Sequence, residues 1–134
     1  MKKIICVGNR YLNPDGASLW IYDKVKKEQK QFEGKTWIEG GIGGMNLLPH
    51  FQTNSDILLL DYIPDIKNAT LFHLDDLLAR MDIKEYNHAS ALYYLLGSLD
   101  TVLDEKPNIE VLSCNPENEY YQDEVIKFVK EWKA

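Results

Sequence analysis

The apolar positions along this chain fall into two periods that alternate from one end to the other. Residues 4–7 form a continuous apolar run, Ile4-Ile5-Cys6-Val7, closed by Gly8-Asn9, which reads as a strand buried on both faces. After a loop over residues 10–16, Leu19, Trp20, Tyr22 and Val25 have the spacing of an amphipathic helix that starts at Ala17 and frays into residues 26–30. Residues 36–38 read as a second, shorter strand, ended by Glu39-Gly40-Gly41-Ile42-Gly43-Gly44. Met45, Leu47 and Leu48 open a brief helix that stops between His50 and Asn54. Residues 56–61 are the clearest central strand, stopping on the carboxylate of Asp61. Residues 69–74 read as a strand and 75–80 as a turn or two of helix. Asn87 can cap a helix carrying Leu92, Leu95, Leu96, Leu99, Val102 and Leu103 on one face. Residues 109–112 are a last strand, and residues 119–132 a closing helix with Val125, Ile126, Phe128, Val129 and Trp132 inward. Strands alternating with helices predict an α/β sandwich of three layers, a mainly parallel sheet between helices.

Composition narrows the function more than the fold. The 134 residues suit one domain, 1–134, and 45% hydrophobic with 27% charged residues is ordinary for a globular protein. The net charge of -6 repels phosphate, and the densest basic run, residues 24–30, carries Glu28 inside it. Neither a nucleic acid nor an anionic membrane is therefore an expected partner. Cys6 and Cys114 each lie in an apolar run with no CxxC, which suits buried thiols in a reducing compartment. Lys2-Lys3 precedes only four apolar residues, too few for a signal peptide, and no run reaches membrane-spanning length. The expected location is the cytoplasm.

Ligands of open α/β sheets bind beyond the carboxyl ends of the strands. The first strand delivers a loop with Asn9, Asn13 and Asp15 to that edge, the second delivers Glu39 and four glycines, and the third ends on Asp61. A helix opening at Asn87-His88 adds an imidazole. Asp15 before Gly16 also suits a turn, Asp61 also suits a cap for a neighbouring loop, and His88 also suits a cap or packing role. Together, two carboxylates and one imidazole fit a divalent metal with open positions. His50 and His73 sit in packing or surface contexts. Gly40, Gly41, Gly43 and Gly44 are more glycines than a turn needs, and point to mobility or close peptide contact at the crevice. No Lys-Ser or Lys-Thr follows them and no GxGxxG exists, so nucleotide phosphates are not the expected ligand.

These segments, in this order, resemble the hydrogenase maturation endopeptidases. Ile4 to Asn9 with Asp15-Gly16 is similar to the family's opening strand and acidic-Gly loop. Glu39-Gly40-Gly41-Ile42-Gly43-Gly44 before Leu47-Leu48 is similar to its acidic-Gly-Gly-Thr segment, and Leu58-Leu59-Leu60-Asp61 to its strand ending on Asp. Asn87-His88 resembles its His-led helix, and Ser113-Cys114-Asn115-Pro116 lies where the family has Glu-Pro. The differences are Pro14 for an acidic residue, Asn13 and Ser18 for glycines, Ile42 for threonine, Ala91 for glycine and Asn115 for glutamate. The resemblance implies a five-stranded phosphorylase/hydrolase-like sheet and a monomer that cuts a C-terminal extension from the large subunit of a nickel-iron hydrogenase. It further implies that Asp15, Asp61 and His88 bind nickel and act in catalysis, with Glu39, Gly40, Gly41, Gly43 and Gly44 gripping the substrate. Nickel would be carried in by that large-subunit precursor rather than reside in the protease. A non-catalytic metal-sensing or chaperone-like module remains open as an alternative. A peptidyl-tRNA-hydrolase-like enzyme fits less well, because it needs a basic groove.

Overall fold

Alternate residues of the two most apolar strands point to opposite sides of one sheet, and that alternation builds two cores. The computed structural model describes residues 2–28, 31–52, 55–80 and 90–133. Its elements are β1 (Lys2–Val7), α1 (Ala17–Val25), β2 (Lys35–Gly41), a 3₁₀ turn (Met45–Leu47) leading into α2 (Leu48–Phe51), and β3 (Asp56–Asp61). There follow β4 (Leu71–His73), α3 (Leu74–Arg80), α4 (Ser90–Val102), β5 (Asn108–Ser113) and α5 (Tyr121–Glu131). The sheet runs in the order β2-β1-β3-β5-β4. Four strands are parallel, and β4 joins the edge antiparallel to β5. This is the three-layer α/β arrangement the sequence predicts.

On one side Ile4, Cys6, Leu58, Leu60 and Leu112 pack against α1 and α5 through Ile21, Val25, Val125 and Val129. On the other, Ile5, Val7, Ile57, Leu59 and Val111 meet Phe51, Leu77, Leu96 and Leu99 from α2, α3 and α4. Both cysteines are buried and unpaired. In α5, acidic Asp123 and Glu124 in the first turn and Lys130 in the last complement the helix dipole. Lys35 at the start of β2 donates from Nζ to the carbonyls of Val129 and Lys130 at 2.5 and 2.8 Å, a cation on the last turn of α5. Among the described residues no helix is long and apolar enough to cross a membrane.

Several boundaries differ from the sequence expectation for identifiable reasons. The second strand is not confined to residues 36–38 but extends through Gly41, so Glu39, Gly40 and Gly41 belong to the sheet and not to the loop after it. The β1–β2 register shifts between Cys6 and Val7, and Gly40 lies in the crowded bend. A Cβ there would sit 2.9 Å from the Cys6 carbonyl oxygen, Ile5 Cγ2 and Val7 Cγ1. This glycine is a packing requirement, which sequence alone does not distinguish from a loop glycine. The expected strand over 69–74 shortens to Leu71–His73, and Val102, expected inward, is half-exposed at the last residue of α4.

On α1 the innermost positions include Ser18 and Ile21, both fully buried. Ser18 Oγ donates to the Val7 carbonyl at 2.6 Å, a polar helix-to-strand tie that a hydrophobicity pattern passes over. Ser18→Ala should cost about 1–2 kcal/mol, because it strips a partner from a buried carbonyl oxygen. Urea denaturation of the two proteins measures this, and equal midpoints would mean that the tie contributes nothing.

Candidate active site

Asp61 closes β3, and the ladder continues past it: the Cys114 N–H donates to the Asp61 carbonyl oxygen at 2.8 Å. A side chain at that position emerges where the β1–α1, β2–α2 and β5–α5 connections gather. Only 5% of Asp61 is exposed. Its Oδ2 accepts a 2.9 Å hydrogen bond from the Tyr93 hydroxyl, which α4 brings across the edge. Burial pushes the Asp61 carboxyl up to about 7, with the negative charge of Asp15 adding to the rise, while Tyr93 and the Tyr62 N–H act in the opposite direction.

Asp15 owes its position to two glycines that let the β1–α1 loop fold back on itself. Gly8 has φ +147°, and a Cβ on it would overlap the Asp15 carbonyl group. At Gly16 a Cβ would lie 2.8 Å from the Asn9 carbonyl oxygen and 3.0 Å from that of Arg10. Between them the loop is bonded internally: Asp15 Oδ2 accepts from the Asn9 N–H at 2.8 Å, Leu12 N–H donates to Asn9 O at 3.0 Å, and Gly16 N–H to Leu12 O at 2.7 Å. The Asn13–Pro14 peptide within it is cis.

The glycine segment joins the Asp15 loop to α4. Gly8 N–H donates to the Gly41 carbonyl oxygen at 2.8 Å, tying it to the Asp15 loop. On the other side Gly43, at φ +89°, rests on α4, where an added Cβ would be 3.1 Å from Leu92 Cβ. Gly44 also has positive φ, whereas Gly40 is buried in β2. Glu39 is held by Arg10 Nη1 at 2.6 Å, and Arg10 is gripped in turn by Asp23 at 2.8 and 3.1 Å. Glu39 thus braces the loop through an ion pair.

His88 and Asn87 lie outside the described residues. Among the described residues no three His, Cys, Asp or Glu side chains gather as a metal site. Asn115 turns to neighbouring loops, donating from Nδ2 to Ile66 O at 3.1 Å and accepting the Glu117 N–H at 2.9 Å. Tyr93 is the site residue that sequence reasoning missed. Its one signal is a hydroxyl-bearing aromatic beside the Leu92 stripe, which is common on helices. Tyr93→Phe removes a hydrogen bond that favours the ionised carboxylate, so the Asp61 titration should move upward by about one unit. Carbon-13 NMR of the Asp carboxyl signals reads this, and an unmoved midpoint would mean the hydroxyl does not act on Asp61.

An open, mainly parallel α/β sheet with a buried carboxylate ending its central strand belongs to the class whose ligands sit at the carboxyl edge. No family profile matches the chain, and no curated protein matches it. Solved structures do. The hydrogenase 3 maturation protease superposes with a TM-score of 0.70 at 17% identity, covering 100% of this chain and 92% of that one. The hydrogenase maturating endopeptidase HybD from E. coli gives 0.64 at 18% identity, with 98% and 93% covered. An endopeptidase from Escherichia coli gives 0.60 at 16%, with 98% and 93% covered. The chain has the fold of these proteins over essentially its whole length.

Proposed function

We propose that this protein is an endopeptidase that removes a C-terminal extension from the nickel-loaded large subunit of a nickel-iron hydrogenase. The observation that carries the reading is the end-to-end likeness of the fold to maturation proteases, with a buried carboxylate at the edge where such folds place their ligands. In this reading Asp15, Asp61 and His88 engage nickel delivered in the substrate's cysteine cluster, in the cytoplasm, with the protease acting as a monomer. Gly41, Gly43 and Gly44 form the backbone wall beside the scissile segment, and Glu39 keeps that wall braced through Arg10.

The electrostatics of Asp61 support a metal that arrives with the substrate. With burial pushing its carboxyl up to about 7, Asp61 still holds a proton close to neutral pH, so a free cation must displace that proton to bind. A cation already anchored in a docked substrate does so without losing its own translational freedom. Two carboxylates and an imidazole leave coordination positions for substrate thiolates, which suits nickel as a template that positions the peptide. The test is incubation of a nickel-loaded large-subunit precursor with the wild-type protein, read as a shift on a gel. Cleavage that requires nickel is the expected result. No cleavage overturns the protease assignment, and binding without cleavage would favour the metal-sensing module.

A further inference from the structure

Of the seven large apolar side chains exposed among the described residues, four lie on two connections that are tied together, with Leu71, Val102 and Tyr120 outside them. Tyr11 is 90% exposed, Leu12 55%, Ile42 68% and Met45 67%. All four stand on the β1–α1 and β2–α2 connections, which the Gly8–Gly41 backbone bond and the Arg10–Glu39 ion pair fasten together. They border the same edge as Asp15 and Asp61. Large apolar groups on a free surface are unfavourable, and their concentration beside a site marks a contact surface.

Neither connection is loose. The Tyr11 N–H donates to Asn9 Oδ1 at 3.0 Å, and Leu12 is bonded through both its N–H and its carbonyl oxygen. The Gly43 N–H returns to Gly40 O at 3.2 Å, Asn46 Nδ2 reaches the same oxygen at 3.4 Å, and Leu47 N–H bonds Gly44 O at 3.0 Å. The side chains are held outward by a bonded backbone, so less ordering entropy is lost when they are covered. The charge of the edge points to the occupant. The strand ends and the connections that leave them carry Asp15, Glu39, Asp61, Asp65, Glu117 and Glu119 against two cations, Arg10 and Lys67. Arg10 is already spent on Asp23 and Glu39.

We infer that Tyr11, Leu12, Ile42 and Met45 form a docking rim for a protein face whose apolar side chains surround a cationic centre. Resting on the protease reading, that face is the one presented by the metal-bearing large-subunit precursor. The rim supplies binding energy in ground and transition states alike, whereas the carboxylates at its centre act on the reacting region. Truncating the rim therefore raises KM without changing kcat.

The experiment uses the triple variant Tyr11→Ser, Ile42→Ser, Met45→Gln, whose positions are exposed, with Val102→Ser as an exposed apolar control away from this edge. Cleavage of nickel-loaded precursor should show KM raised by about tenfold or more in the triple variant at unchanged kcat, with Val102→Ser at wild-type values. Affinity for nickel-free precursor, measured by biolayer interferometry, should fall in parallel, because the rim contacts do not need the metal. Unchanged KM and affinity in the triple variant, or an equal loss in Val102→Ser, overturns the rim while leaving the protease reading intact. A wild-type protein that neither cleaves nor binds the precursor overturns both.

Discussion

Asp61→Asn is expected to abolish cleavage of the nickel-loaded precursor and at the same time to make the protein more stable at pH 8. The two effects share a cause. In the unfolded chain Asp61 titrates near 3.8, whereas burial in the folded protein lifts it to about 7. The folded state therefore holds the proton more tightly, and ionisation costs stability as pH rises from about 4 through 7. Fully developed above pH 7, a gap of roughly 3 units corresponds to about 4 kcal/mol, of which an amide with its own desolvation cost recovers part. An increase of about 1–3 kcal/mol raises the melting temperature by roughly 5 °C or more in a chain of this size. Well below pH 4 the wild-type carboxyl is protonated in both states, the penalty is gone, and the variant should melt no higher than the wild type. Calorimetry at pH 4 and pH 8 reads the stability and the gel assay reads the cleavage. Equal melting temperatures at pH 8 would refute the buried-carboxyl argument, and cleavage by the variant at the wild-type rate would refute the role of Asp61.

The second large effect belongs to Gly8→Ala. At φ +147° the backbone is already outside the range alanine accepts readily, and the new Cβ would occupy the space of the Asp15 carbonyl group. Backbone rather than a movable side chain blocks the way, so either the loop must open or β1 must shift. We expect a loss of at least about 4 kcal/mol or outright failure to accumulate as folded protein. Gly34→Ala is the matched control. Gly34 also has positive φ, +77°, but nothing lies within 4 Å of the added carbon, so it should cost only about 1 kcal/mol of backbone strain. If urea midpoints of the two variants coincide, the close approach of Gly8 to Asp15 is not what holds the loop.

The parts of the fold legible in the sequence are those where one physical demand dominates. β1 and β3 are buried on both faces, so Ile4-Ile5-Cys6-Val7 and Ile57-Leu58-Leu59-Leu60 read as continuous apolar runs, and a carboxylate closing such a run has few structural excuses. The shared edge of Asp61 and the β1–α1 loop that carries Asp15 follows from the parallel topology, since the four parallel strands all end on the same side of the molecule. What stayed hidden depends on neighbours distant in sequence. Gly40 is fixed by Cys6 and its flanking side chains 34 positions away, as their numbers show, and Tyr93 by a carboxylate 32 residues back. The antiparallel pairing of β4 is set by β5, which comes later in the chain. His88 lies outside the described residues, so of the expected trio the structure describes Asp15 and Asp61.

The strand order carries a consequence for biosynthesis. β1 leaves the ribosome before every other strand, yet it pairs on one side with β2 and on the other with β3. Its register with β3 runs from Lys2 opposite Asp56 to Cys6 opposite Leu60, so about 50 residues must be translated before the second edge can be covered. During that interval an apolar, β-prone tetrapeptide is displayed to every chain nearby, the composition from which intermolecular strands form. Lys2 and Lys3 adjoin it directly, and two adjacent ammonium groups repel an identical segment on a neighbouring polysome. The same pair that in the folded protein meets the Trp132 ring and the His50 carbonyl acts as a gatekeeper while the sheet is still incomplete.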